Sequence, residues 1–258
     1  MKRVTLFFIL AVFTLSSCNP SSAVETLVRE FNIEEKKTPE EEFFPKDYQI
    51  VGFGDSLTEG LGDSKSKRGY VGRFEEKLVK EPEIKDVKID NFAIRGHLSH
   101  QTLNIVNQKE SRVAISRADL ILLTTGGNDI MSVVRGNMFN LTLEPFVEAN
   151  EVYKKNINAI LKVIREENPT APIMVIGLYN PFLQWFSNIQ EVEQIMDLWN
   201  HTTSKMVSEY SGVHFVPIAD LFQSGDMSLL YDDYFHPNNI GYQAIADRVY
   251  EEWSAHLD

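Results

Sequence analysis

The chain reads as an α/β protein: a three-layer sandwich with a five-stranded parallel sheet between two layers of helices. Two observations carry this reading. From Tyr48 onward, short apolar runs alternate with longer stretches of helical spacing. Several of those runs are almost continuously hydrophobic, as strands covered on both faces are. No internal repeat is visible, so a solenoid or propeller is not indicated.

The strands are expected, in order, at "YQIVGFG" (48–54), "VKIDNFA" (87–93), "DLILLTT" (119–125), "PIMVIGL" (172–178) and "VHFVPI" (213–218). The clearest helix spans about 145–167, with Val152, Ile157, Ile160, Leu161 and Ile164 on one broad face. The last helix, about 239–256, places Tyr242, Ile245, Ala246, Val249 and Trp253 at relative positions 0, 3, 4, 7 and 11. Two segments are longer than a tight connection needs, Ile130–Phe146 and Tyr179–Glu191. Both are expected to overhang the carboxyl ends of the strands, where such sheets bind ligands. The first carries Met131, Val133, Val134, Met138 and Phe139. The second carries "NPFLQWF" (180–186), from which Phe182, Trp185 and Phe186 are expected to line an apolar pocket.

A chain of 258 residues with 43% hydrophobic and 24% charged residues has the size and composition for one full core. Its net charge of -12 argues against nucleic acid and against electrostatic attraction to anionic lipid. The N-terminal "MKRVTLFFILAVFTLSSC" has a basic start and an apolar run too short to span a bilayer comfortably, so residues 1–17 read as a signal peptide. Leu15-Ser16-Ser17-Cys18 resembles the lipobox of bacterial lipoproteins. That resemblance implies a lipidated Cys18, export, and anchoring to the outer side of the cell membrane or beyond. Cys18 is the only cysteine, so once acylated no thiol remains for a disulfide, a zinc site or a nucleophile. Residues 18–46 follow as a charged, proline-bearing tether, and residues 47–258 form the folded domain. Phe31, Phe43 and Phe44 leave open a helix docked on that domain.

Four local patterns occur in order. Gly54-Asp55-Ser56-Leu57 follows the first strand, Asn91-Phe92-Ala93-Ile94-Arg95-Gly96 the second, and Gly126-Gly127-Asn128-Asp129 the third. Asp233-Tyr234-Phe235-His236 precedes the last helix. Each is common by itself; the ordered set at strand ends is not. Together they resemble the SGNH (GDSL) hydrolase family, over roughly Tyr48 to Asp258. The resemblance implies a flavodoxin-like fold, and a serine esterase or lipase with Ser56 as nucleophile, His236 as base and Asp233 as its partner. It implies an oxyanion hole made of the Ser56 and Gly96 backbone N–H groups and the Asn128 side-chain amide. No metal and no organic cofactor is implied.

Elementary chemistry fits these assignments. A serine hydroxyl attacks only when a base takes its proton. Histidine, with an ordinary pKa of about 6.5, suits that work near neutrality. A carboxylate fixes the imidazole tautomer, and preorganised donors hold the oxyanion. Plainer uses exist for each residue. Ser56 would cap the helix after the first strand, Asn128 would hold a turn, and His236 would cap the final helix. Asp232 competes with Asp233. Asp55 reads as part of the turn rather than of the chemistry. A dinucleotide fingerprint fails at Leu57 and a G-x-S-x-G elbow fails at Thr58. His97 and His100 lack further ligands for a metal. Arg95 and His97, flanking Gly96, are expected at the mouth of the site. The expected substrate is a small-molecule or lipid ester of short to medium acyl chain. The alternatives are a carbohydrate O-deacetylase of the same fold, or an idle lipoprotein that binds a ligand in the same cleft.

Overall fold

The computed structural model describes residues 44–65, 68–137, 142–181, 190–223 and 227–256. In chain order the elements are β1 (Lys46–Phe53), α1 (Ser56–Glu59), α2 (Gly69–Leu78), β2 (Ile84–Asn91), α3 (Ser99–Val106), α4 (Lys109–Ile115) and β3 (Leu120–Thr124). They continue with α5 (Gly127–Gly136), α6 (Glu144–Glu167), β4 (Ile173–Ile176), α7 (Gln190–Val207) and β5 (Val213–Val216). Two 3-10 turns, Ala219–Phe222 and Met227–Leu229, lead to α8 (Asn239–Ser254).

The five strands form one parallel sheet in the order β2-β1-β3-β4-β5. Alternation along the strands divides the core in two. Val51, Phe53, Ile121, Leu123, Ile173 and Val175 face the layer that includes Ile115 of α4, Ile160 of α6 and Trp199 of α7. Ile50, Leu120, Leu122, Met174, Ile176 and Val216 face α2 and α8, where they meet Phe74, Tyr242 and Val249. All five residues of β3 are buried, which is why its sequence is unbroken "LILLT".

Two expectations need correction in detail. β2 begins at Ile84, three residues before the expected start. It is one of the two edge strands, and its Lys and Asp residues point to water, so polar residues extend it without cost. The segment after β3 is not an overhanging loop at first: Gly127–Gly136 is helical, with Ile130 buried and Val133 and Val134 packed on the core. Phe146 lies within α6 and is buried.

The order of the sheet fixes where a ligand goes. Winding reverses between β1 and β3, so the connections leave their carboxyl ends toward opposite faces and open a crevice there. Ser56 follows β1 and Asn128 follows β3 at that crevice.

Candidate active site

The turn after β1 is built into the core. Gly54 has φ 128°, and a Cβ there would lie 2.0 Å from the Thr124 carbonyl oxygen. Only glycine lets β1 and β3 stay this close where they diverge. Asp55 is the N-cap of α1; its Oδ1 accepts from the Leu57 N–H at 3.1 Å and from the Thr124 hydroxyl at 2.9 Å. Thr124 Oγ1 lies 2.9 Å from Thr58 Oγ1, which lies 2.8 Å from the Tyr70 hydroxyl. Burial pushes the Asp55 carboxyl above its ordinary value, against the pull of the Leu57 and Thr124 hydrogen bonds. Asp55 therefore holds the turn. Because it does the capping, Ser56 stands as the first residue of α1 with its hydroxyl free for other use.

His236 comes from the other end of the chain. Its Nε2 is 2.8 Å from Ser56 Oγ, and its Nδ1 is 2.6 Å from Asp233 Oδ2. Asp233 Oδ1 accepts from the backbone N–H groups of Phe235 and His236 at 3.0 and 2.9 Å. Partial burial raises the Asp233 carboxyl, but the His236 N–H, the His236 ring and the Phe235 N–H outweigh it and hold the group below the ordinary carboxylate value. Asp233, not Asp232, is the partner. The turn is closed by Tyr234 in a left-handed conformation, φ 53°, uncommon for a residue with a Cβ. Tyr179, after β4, donates its hydroxyl to the Phe235 carbonyl at 2.5 Å and stacks on Phe222. The cap of α8 is Asn238, whose side chain accepts from Ile240 and Gly241, so His236 has no capping duty.

The loop after β2 joins the other two. Pairing continues past the strand end, from Phe92 N–H to Gly52 O at 2.8 Å and from Ile94 N–H to Gly54 O at 3.0 Å. That draws Gly96 toward the Ser56 turn. Gly96 has φ 77°, and nothing lies within 4 Å of where its Cβ would be. What demands glycine in this structure is the left-handed backbone, not crowding. Asn128 Nδ2 donates to the His97 carbonyl at 3.1 Å, and Asp129 accepts from the Ser99 N–H and hydroxyl at 2.9 and 2.6 Å. Two consecutive residues of α5 thus grip the loop that carries Gly96. Among the described residues, the N–H groups of Ser56 and Gly96 donate to nothing.

Arg95 does not face the cleft. Its backbone N–H, Nε and Nη2 donate to Glu59 at 2.6, 3.0 and 2.7 Å, which fastens the loop to α1. Neither Arg95 nor His97 lines the cleft. Ser56, Asn128 and His236 do, beside an apolar wall of Ile130, Met131, Leu178, Pro181, Met196 and Phe235. The expected pocket residues Phe182, Trp185 and Phe186 lie outside the described residues, as does Cys18. Sequence reasoning singled out Met131 on its segment, and missed Leu178, Met196 and Phe235 as wall residues. It also missed Tyr179 and Glu59, whose partners are 56 and 36 residues away.

Residues 53–244 match the model of the GDSL-like lipase/acylhydrolase family. The chain is 39% identical to the uncharacterized protein YpmR of Bacillus subtilis over 204 residues, covering 78% of this chain and 80% of that protein. It is 26% identical to the spore germination lipase LipC of Bacillus licheniformis over 208 residues, 78% of this chain and 94% of that one. Among solved structures, the lipase Lip_vut3 from a goat rumen metagenome superposes with a TM-score of 0.74 at 24% identity, over 82% of this chain and 100% of that chain. The match spans the strand end before Ser56 and the loop bearing His236 alike, and the chain belongs to the GDSL-like lipase/acylhydrolase family.

Proposed function

We propose that the protein hydrolyses carboxylic esters of short to medium acyl chain through an acyl-enzyme on Ser56. The observation that carries this reading is the unbroken hydrogen-bonded chain from Ser56 Oγ to His236 Nε2 and from His236 Nδ1 to Asp233. Ser56 attacks the ester carbonyl while its proton passes to His236 Nε2. Asp233, held ionised by its turn, stabilises the imidazolium that forms. The tetrahedral oxyanion takes the N–H groups of Ser56 and Gly96 and the second amide proton of Asn128, whose first is already given to His97. His236 then protonates the departing alcohol. Water enters and gives a proton to His236 as its oxygen attacks the acyl carbonyl; the second tetrahedral intermediate then collapses to the acid while His236 returns the proton to the departing Ser56 Oγ.

The acyl chain has an apolar wall to lie against, with Met131 of α5 and Met196 of α7 among its flexible members. Each methylene buried there contributes up to about 0.8 kcal/mol. Across p-nitrophenyl esters from acetate to palmitate, kcat/KM should climb to butyrate or hexanoate and then level off. A preference for acetate over every longer ester would favour a deacetylase instead. A fluorophosphonate probe tests the nucleophile: it should label the native protein and leave folded Ser56→Ala unlabelled. Native protein that resists the probe would favour a binding role. The N-terminal signal and Cys18 support export and lipid anchoring. A Cys18→Ser protein that still fractionates with membranes would rule that anchor out.

A further inference from the structure

The segment that leaves α1 carries a buried ion pair that the reaction does not use. Asp63 and Arg73 have side chains 2% and 3% exposed. Asp63 Oδ2 accepts from Arg73 Nη1 at 2.7 Å and from the Gly69 N–H at 2.9 Å; its Oδ1 accepts from Arg73 Nη2 and the Lys65 N–H, both at 3.1 Å. Arg73 Nη1 also donates to the Gly69 carbonyl at 2.7 Å. Both forks of the pair are filled, so neither charge is left uncompensated. A pair of this kind is a weak source of net stability, because desolvation offsets most of the attraction. What it supplies is one fixed geometry.

That geometry connects the two partners of the Ser56–His236 hydrogen bond. On one side, the N–H groups of Gly60 and Leu61 both donate to the Ser56 carbonyl at 3.0 Å. On the other, Arg73 Nη2 donates to Asn239 Oδ1 at 3.4 Å, and Asn239 Nδ2 donates to Ser64 Oγ at 2.8 Å. Asn239 is three residues beyond His236. Between these anchors Gly62, at φ 96°, lies so close to the His236 loop that a Cβ would sit 2.5 Å from the Pro237 carbonyl oxygen. Tyr242 of α8 closes the circuit with a 2.6 Å bond to the Leu61 carbonyl.

We infer that the Asp63–Arg73 pair is a positioning element that sets the reach of His236 Nε2 to Ser56 Oγ. The inference rests on Ser56 as nucleophile and His236 as base. The pair touches no substrate. It acts by holding the Gly60–Lys65 stretch as a spacer between the helix that bears one group and the loop that bears the other.

Two variants test it with p-nitrophenyl butyrate. Arg73→Lys keeps the charge and loses the fork; Asn239→Ala cuts only the link to the His236 loop, at a residue that is not fully buried. Arg73→Lys should lower kcat by about tenfold to a hundredfold, and Asn239→Ala by several-fold, with KM within about twofold of native. Asn239→Ala should keep its native thermal midpoint. In a His236→Ala background neither substitution should lower the residual rate further, because the device acts through that ring. If Arg73→Lys reduces the rate by the same factor with and without His236, or if Asn239→Ala leaves kcat unchanged, the pair serves the fold and the inference is wrong. Failure of the underlying reading looks different: Ser56→Ala and His236→Ala would then turn over ester at the native rate, and the native protein would not react with fluorophosphonate.

Discussion

Asp55 and Asp233 stand close in sequence to the two ends of the Ser56–His236 hydrogen bond, and they are held in opposite ways. Asp55 is 6% exposed, lies under the sheet's carboxyl edge and is tied to β3 through Thr124. Asp233 has a side chain 39% exposed and is tied mainly to its own turn, through the N–H groups of Phe235 and His236. One carboxyl is pushed above the ordinary value by burial; the other is held below it by hydrogen bonds. The serine turn belongs to the core and should fail only when the core fails. The histidine loop is a surface structure fixed by a few polar contacts, so it can lose its geometry while the fold survives.

The sharpest way to break this contrast is at His236. His236→Ala should cost about 10⁴-fold or more in kcat while shifting the thermal midpoint little, since its ring is partly exposed and caps nothing. A variant that unfolds would make the loop part of the core after all. Asp233→Asn should cost less, on the order of 10²- to 10⁴-fold, because it removes orientation and charge but leaves the base in place. A steady-state comparison of the two, with circular dichroism on each, gives the order.

At Asp55 the expected loss moves from rate to stability. Asp55→Ala removes the α1 cap, leaves the Leu57 N–H without its acceptor and takes from the Thr124 hydroxyl one of its buried partners, for about 2–4 kcal/mol in urea unfolding. An undiminished midpoint would show the turn to be held elsewhere.

The smallest effect is a difference of sign with pH. A carboxyl raised in the folded state contributes stability that is full below its unfolded value, near 3.8, and lost as pH rises through the raised value. A lowered one contributes stability present above 3.8 and lost as pH falls through the depressed value. From neutral pH down toward 4, native protein should therefore gain on Asp55→Asn. Its margin over Asp233→Asn should hold steady in that window and shrink only at lower pH. Urea midpoints measured at several pH values check both, and parallel curves would remove the distinction.

What the sequence revealed follows from what has a period. β1, β3, β4 and β5 lie within about two residues of the apolar runs that predicted them; β3 and β4 are buried throughout, which leaves an unbroken signal, and β1 and β5 keep enough apolar residues to show. β2 was legible only in part, since an edge strand keeps polar residues such as Lys85 and Asp86. Ile130, Val133 and Val134 stand at 0, 3 and 4, a helical spacing that was available and was read instead as a long loop. Of the residues the four motif blocks singled out, Ser56, Asn128 and His236 line one cleft, Asp233 bonds His236, and Gly96 lies on the loop that Asn128 holds through the His97 carbonyl. The supporting contacts had no signature. Glu59 with Arg95, Tyr179 with Phe235, and Arg73 with Asn239 are hydrogen bonds across 36, 56 and 166 residues. No local pattern encodes such pairs, because nothing in the intervening chain depends on them.

The Ser56–His236 bond closes across 180 residues. Loop closure over such a span waits until most of the intervening sheet is assembled. Early in its life the chain therefore holds a serine with no base to serve it. A polypeptide emerging residue by residue passes most of its length, including every strand, before the imidazole appears. On the proposed mechanism, reactivity at Ser56 is in this sense a report on completion, expected only when the first strand and the last loop have found each other. Pulse labelling of stalled nascent chains with fluorophosphonate would read that moment directly, as a step in labelling once His236 has cleared the ribosome.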